Sequence, residues 1–303
     1  MHSTGRFFAL CLAAISTMFV GSAAPAAAAV APSFVVPSQT SAGVLLNSLA
    51  VADFNGDGRP DVVVGDSASP GLTVVLGLGQ GKLGPPIESA LPANATAIDV
   101  AVADFNGDGR ADVAVATSTT GGTGLAVMRG RGDGTFVLFT TIPGIKAVGV
   151  IAADLDGDGD ADVAALTDQP TGDALSVALG NGSGGFAAPV TYTPPFSITY
   201  NDLTSADVDG DGDLDLVYGA GCPVVRLNTG NGTFGSEICN GDPQARWGYY
   251  LAVGDLNQDG IVDLATAGAG HITVGIGNGT GRFTITQRYD GLAADFEGLD
   301  VPT

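Results

Sequence analysis

An all-β chain assembled from repeated four-stranded sheets is what the sequence predicts, and three observations carry that expectation. An eleven-residue acidic segment recurs five times: VADFNGDGRPD at 51–61, VADFNGDGRAD at 102–112, AADLDGDGDAD at 152–162, SADVDGDGDLD at 205–215 and VGDLNQDGIVD at 253–263. The first aspartates of the copies, Asp53, Asp104, Asp154, Asp207 and Asp255, are 51, 50, 53 and 48 residues apart, a period that marks an array of one supersecondary unit. Short apolar runs bounded by Gly, Asp and Asn flank every copy, and no segment beyond the first thirty residues sustains a helical period. Such runs read as strands joined by turns.

The second repeat shows the order of elements within a unit. AIDVAVAD (97–104) is a first strand, the acidic loop follows, and DVAVAT (112–117) is a second. After the turn STTGGTG comes GLAVMRG (124–130), and after RGDGT comes FVLFTTI (136–142). Each unit is thus one antiparallel meander. A lone sheet of this kind has two faces to cover and two raw edges, which packing face to face around an axis resolves. Runs such as VAVAD and DVAVA are apolar at almost every position, as expected of strands covered on both faces. The architecture expected is a β-propeller with five complete blades. A β-helix is the rival, but its coils are usually shorter than this period and its strands parallel. Phe34 to Pro37 (FVVP) matches the end of a unit, beside FAAP at 186–189, and GLAADFEGLD at 291–300 resembles the start of one that stops. Five units close the ring with overlapping termini, or the two partial units share a sixth, imperfect blade.

Residues 1–29 read as a cleaved secretory signal: Arg6 precedes an apolar stretch from Phe7 to Val20, and small residues with A-x-A spacing end near Ala29. The propeller domain then occupies 30–303, with no membrane span in the mature chain, and the expected location is extracellular, with periplasm and cell surface left open. Removing the signal removes Cys11 and leaves Cys222 and Cys239. An isolated pair in an exported chain favours a disulfide over a metal site or nucleophile, the alternative being two free buried thiols. The 303 residues hold 32 acidic and 11 basic side chains, a formal charge of -21, yet 45% are hydrophobic and 47 are glycine. This is the balance of a packed, loop-rich acidic protein, and it disfavours nucleic acid as a partner.

Positions one, three, five and nine of the loops carry oxygen donors. They are Asp53, Asn55, Asp57 and Asp61; Asp104, Asn106, Asp108 and Asp112; Asp154, Asp156, Asp158 and Asp162; Asp207, Asp209, Asp211 and Asp215; and Asp255, Asn257, Asp259 and Asp263. Alternate spacing in a tight turn points short side chains inward, and glycine at position six (Gly58, Gly109, Gly159, Gly212, Gly260) allows a positive-φ bend that brings the ninth residue round. Carboxylates crowded this closely repel by about 1 kcal/mol per pair in water and more when partly buried, so the loops need a cation. About six hard oxygens in flexible geometry suit Ca²⁺ better than Mg²⁺. An EF-hand needs flanking helices and a glutamate at position twelve, where this chain has Val64, Val115, Ala165, Tyr218 and Thr266. The twenty positions hold 17 of the 32 acidic residues, so the acidity is largely a property of the loops. The third and fourth loops, with four carboxylates each among these positions, are expected to bind most tightly, and the fifth, where Gln258 replaces a glycine, least.

The unit VAVADFNGDGRADVAVA followed by LAVMRGRGDGTF resembles the FG-GAP or VCBS-type repeat, the blade of integrin α-subunit propellers and of many secreted bacterial proteins, and the match runs from Phe34 to Arg288. The resemblance implies a calcium-binding β-hairpin loop in each blade. The ligand roles then fall to the twenty residues named, with the carbonyl of residue seven as a further ligand, for up to five Ca²⁺ ions.

Other signals are weaker. The RGD at 131–133 sits where other units read GNG and is a turn variant. His271 is the one histidine of the mature chain, there is no G-x-S-x-G elbow, and nearly every acidic pair is committed to a loop, so an enzyme is not expected. The segment CNGDPQARWGYYLA departs from its equivalents, and Arg246, Trp247, Tyr249 and Tyr250 are candidate ligand contacts. Taken with the resemblance, these features point to a secreted calcium-binding module for an extracellular protein or glycan. A lectin-like carbohydrate binder is the alternative, and a polysaccharide-active enzyme is a weaker third reading.

Overall fold

The computed structural model describes residues 46–66, 70–167, 174–193, 202–219, 222–241, 250–268 and 270–290. The signal segment, the partial units at 34–37 and 291–300, and the candidate contacts Arg246, Trp247 and Tyr249 lie outside the described residues.

Five four-stranded sheets follow one another along the chain. The first contains β1 (Leu46–Ala52), β2 (Asp61–Asp66), β3 (Leu72–Gly79) and β4 (Lys82–Ser89); the second β5 (Thr96–Ala103), β6 (Asp112–Thr119), β7 (Gly122–Gly130) and β8 (Phe136–Thr141). The third has β9 (Ala147–Ala153), β10 (Asp162–Thr167), β11 (Ala174–Ala178) and β12 (Val190–Tyr192); the fourth β13 (Leu203–Ala206), β14 (Asp215–Gly219), β15 (Pro223–Arg226) and β16 (Ile238–Cys239). The fifth has β17 (Tyr250–Gly254), β18 (Asp263–Gly268), β19 (His271–Gly277) and β20 (Phe283–Asp290). Every sheet is an antiparallel meander in chain order, and each acidic loop joins its first strand to its second. In the second sheet the β6–β7 turn is tighter than the sequence predicts. The strands run on to Thr119 and from Gly122, because the Thr119 hydroxyl accepts the Gly121 N–H and donates to the Gly122 carbonyl.

The first strands pack on one another in chain order, β1 on β5, β5 on β9, β9 on β13 and β13 on β17, which stacks the sheets face to face. The second strands are buried on both faces, as their composition requires. In β6, Val113 and Val115 belong to the core shared with the first sheet, whereas Ala114 and Ala116 belong to the core shared with the third. In β10, Val163 and Ala165 face back and Ala164 and Leu166 face forward. Period-two alternation therefore sorts side chains between two apolar seams rather than between core and water. Each fully buried Val or Leu contributes about 1.5–3 kcal/mol.

Stacking leaves edge-strand amides pointing at a neighbouring sheet, and side chains of the preceding sheet accept them. Ser48 Oγ accepts the Val100 N–H (3.3 Å), Asp99 Oδ2 that of Val150 (2.9 Å) and Asp202 Oδ2 that of Leu251 (2.6 Å). At the outer strands, Ser89 Oγ accepts from Phe136 (2.9 Å), the Tyr192 hydroxyl from Phe234 (3.1 Å) and Asn240 Oδ1 from Phe283 (2.9 Å). Satisfying these donors protects edges that would otherwise recruit other chains.

The fourth sheet carries a further network. Arg226 donates through Nη2 to Glu237 (2.8 Å), through Nη1 to the Gly235 carbonyl (2.8 Å) and through Nε to the Tyr218 hydroxyl (3.2 Å), under the ring of Tyr192 at 5.0 Å. Burial pushes the Tyr218 phenol well above its ordinary range. Beside this network Cys222 and Cys239 form a disulfide, tying the start of β15 to β16. Among the described residues no helix is long and apolar enough to cross a membrane.

Candidate metal centres

Each loop is built around the carboxylate at position one. In the first loop, Asp53 Oδ1 accepts the N–H groups of Asn55 (3.2 Å), Gly56 (2.7 Å) and Asp57 (3.2 Å), while Oδ2 accepts that of Gly58 (2.7 Å). These bonds, that from Gly58 foremost, hold the Asp53 carboxyl below its usual range. The same bend recurs: Gly109, Gly159, Gly212 and Gly260 each donate to the first aspartate of their loop. All five glycines at position six have positive φ, between 78° and 97°, as the sequence implies. At position four, Gly56, Gly107, Gly157 and Gly210 also have positive φ, and in the fifth loop Gln258 is forced into the same region at φ 65°.

The ninth-place aspartates do not face solvent. Asp61, Asp112, Asp162, Asp215 and Asp263 are all 0% exposed, and each accepts two backbone amides. One comes from position two of its own loop: Phe54 (2.9 Å), Phe105 (3.2 Å), Leu155 (2.7 Å), Val208 (2.9 Å) and Leu256 (2.9 Å). The other comes from the end of the third strand or just beyond it: Gly77 (2.7 Å), Gly130 (2.8 Å), Gly180 (2.7 Å), Asn228 (2.8 Å) and Gly277 (2.8 Å). This second partner has a signal in the sequence that loop spacing alone misses, a glycine 14 to 18 residues on. A side chain at Gly77, Gly130, Gly180 or Gly277 would put its Cβ within 2.2 Å of the carbonyl at loop position eight. The fourth sheet solves the crowding differently, with Asn228 Nδ2 donating to that carbonyl, Leu214 (3.0 Å).

Acidic oxygens converge in the third and fourth of these cradles. Ligand atoms of Asp154, Asp156 and Asp162, and of Asp207, Asp209 and Asp215, lie within 4.8 Å of one another. Where position three is asparagine its amide bonds another candidate ligand: Asn106 Nδ2 donates to the buried Asp112 (2.8 Å), whereas Asn55 donates to Asp57 (3.3 Å) and Asn257 to Asp259 (2.9 Å). Burial, with repulsion from neighbouring aspartates, pushes the carboxyls of Asp112, Asp162 and Asp215 up to about 6 despite their amide bonds. Desolvation also raises Asp156 and Asp209. Negative charge is thus concentrated where protein donors leave it undercompensated, and all the donors are hard oxygens. The donor set fits a divalent cation of the calcium type.

The sequence pattern of the FG-GAP-like repeat matches three overlapping stretches, 53–115, 107–165 and 154–218, so that the first four acidic loops fall inside it. The chain belongs to the FG-GAP-like repeat family. The repeat explains the sheet as well as the loop, since each matched stretch runs from one acidic segment through the next. No curated protein sequence matches the chain. Among solved structures, a lectin of Agrocybe aegerita described as recognising non-reducing terminal N-acetylglucosamine is 23% identical, with a TM-score of 0.53 over 82% of this chain and 66% of the lectin. The FG-GAP-like chain therefore spans just under two thirds of that lectin. A protein from Lactobacillus plantarum is 15% identical, with a TM-score of 0.55 over 84% of this chain and 73% of that one. Both likenesses support a propeller-like fold.

Of the other sequence candidates, Tyr250 opens β17, half-buried and paired with Ala267. His271 is buried in β19. The RGD segment is a structural turn: Asp133 accepts the Thr135 N–H (2.9 Å) and hydroxyl (2.6 Å), and these bonds hold its carboxyl low.

Proposed function

We propose that this protein is an exported, calcium-loaded β-propeller that serves as a binding module for an extracellular protein or glycan and catalyses no reaction. The observation that carries the calcium reading is the fivefold recurrence of a fully buried aspartate at loop position nine, set against two further carboxylates in the third and fourth loops and against an amide in the second. Positions one, three, five and nine of the loops would hold the ions. A bound divalent cation supplies charge neutralisation and a fixed centre for the loop oxygens. The chain's own part is to hold those oxygens in place through backbone amides, so that little ordering remains to be done on binding. At a free Ca²⁺ level tenfold above Kd, each site adds about 1.4 kcal/mol and five add about 7, comparable with the stability of a whole domain.

Export is supported by the signal-like residues 1–29 and by the disulfide between Cys222 and Cys239. Elemental analysis of the purified mature protein tests the metal reading: about five calcium ions per chain are expected, and a calcium content near zero after dialysis against micromolar calcium contradicts it. Carbohydrate binding is the second reading, motivated by the lectin that shares the fold. Binding on a glycan array supports it, and silence on every glycan leaves a protein ligand.

A further inference from the structure

We infer that the acidic loops are also the seats on which the following sheets dock, so that cation occupancy governs three successive seams and leaves the fourth to a disulfide-linked hairpin. This rests on the calcium reading above and goes beyond it, because it assigns the loops a role between sheets.

Loop position two, the apolar residue between the first and second ligand positions, makes the connection. Its N–H donates to the ninth-place aspartate, as described, and its carbonyl faces the next sheet. The Phe54 carbonyl accepts the N–H of Gly134 (3.0 Å), in the β7–β8 turn, and the Phe105 carbonyl accepts that of Gly184 (2.8 Å), in the corresponding turn of the third sheet. The Leu155 carbonyl accepts Asn228 Nδ2 (2.6 Å) from the fourth sheet. The side chains at position two follow the same path. Phe54 meets Phe136 at 5.4 Å between ring centres, Phe105 meets Phe186 at 5.7 Å, and Leu155 shares a core with Phe234. A ligand carboxylate, an amide, one α-carbon and a carbonyl thus connect each of these cradles to the sheet that follows.

The seam between the fourth and fifth sheets is wired otherwise. The turn around Gly281 still packs on Val225, Leu227 and Ile238, but among the described residues no hydrogen bond joins it to Val208, the fourth loop's position two. Besides the bond from Leu251 to Asp202 at the first strands, the polar link at this turn comes from Asn240, whose Nδ2 donates to the Gly281 carbonyl (3.1 Å) and whose Oδ1 accepts the Phe283 N–H (2.9 Å). Asn240 follows Cys239 and donates its own N–H to the Pro223 carbonyl (2.8 Å), so it sits in the hairpin that the disulfide closes.

A site coupled to a seam strengthens it by the same factor by which the seam strengthens the site. Hydrogen exchange resolved by residue on the mature protein, stripped with EGTA or loaded with calcium, therefore tests the inference. Stripping is expected to speed exchange of the Gly134 and Gly184 amides by about fivefold or more and to leave Phe283 unchanged, while reduction of the disulfide speeds Phe283 and not Gly134. Faster exchange confined to loop amides such as Gly58 and Gly159 overturns the coupling but leaves the calcium reading standing. Equal acceleration at Gly134, Gly184 and Phe283 also overturns it, since loosening would then be global. No change in the loop amides removes the calcium reading and the inference together. Asn228→Ala supplies a second arm: one of the calcium sites is expected to weaken by about fivefold, and five unaltered sites in the folded variant overturn the third clasp.

Discussion

The third acidic loop (154–162) and the fifth (255–263) share one ligand spacing and differ in what surrounds it. The third has aspartate at every odd position, Gly157 and Gly159 at its two positive-φ bends, and a buried Leu155 seated against the fourth sheet. The fifth has three aspartates, a non-glycine at the first bend, a half-buried Leu256, and a position beyond the matched repeats. A motif thus fixes where donors point, but the depth of the ninth aspartate's surroundings and the fit of the bend decide how rigidly they are held.

Asp162→Ala is expected to break the stronger side of this comparison. It strands the buried amide of Leu155 and the half-buried amide of Gly180 and should cost about 3 kcal/mol, read from denaturant unfolding in saturating calcium. Asp263→Ala removes the same two kinds of bond, but water reaches the half-buried Leu256, so a loss of about half that size is expected. Equal losses would erase the distinction. Replacing both Cys222 and Cys239 with serine opens a staple with a sequence separation of 17 and should cost about 3 kcal/mol in the chain-entropy model, with calcium content unchanged. The bends give the smallest effects, of opposite sign. Gly157→Ala meets no atom within 4 Å and so pays only for its positive φ, a loss of about 1 kcal/mol, whereas Gln258→Gly should gain about as much by relieving the same conformation. Chemical denaturation of the two variants side by side sharpens the comparison, and a destabilising Gln258→Gly contradicts it.

Much of this architecture was legible in the sequence because it is periodic. Five in-phase acidic segments set the number of sheets, and the unbroken apolarity of DVAVAT foretold a strand buried on both faces. Glycine at position six required the positive φ that the structure shows. What escaped the sequence is what the repeat does not repeat. Gly77 and its equivalents lie far enough along the chain that only the folded meander brings them to the ninth aspartate. The acceptors that join sheets differ at each seam: Ser48, Asp99 and Asp202 at the first strands, and Ser89, Tyr192 and Asn240 farther out. No single pattern announces them. The Arg226, Glu237 and Tyr218 network is likewise peculiar to the fourth sheet. It brings Tyr192 and Tyr218 together on Arg226.

If the five acidic loops hold divalent cations, those ions stabilise the whole fold. Thermal unfolding of metal-stripped protein, repeated with calcium at about tenfold above Kd, tests it most directly. About 7 kcal/mol of added stability at about 2–4 °C per kcal/mol places the loaded melting temperature roughly 15 °C or more above the stripped one. Coincident melting curves would contradict the account.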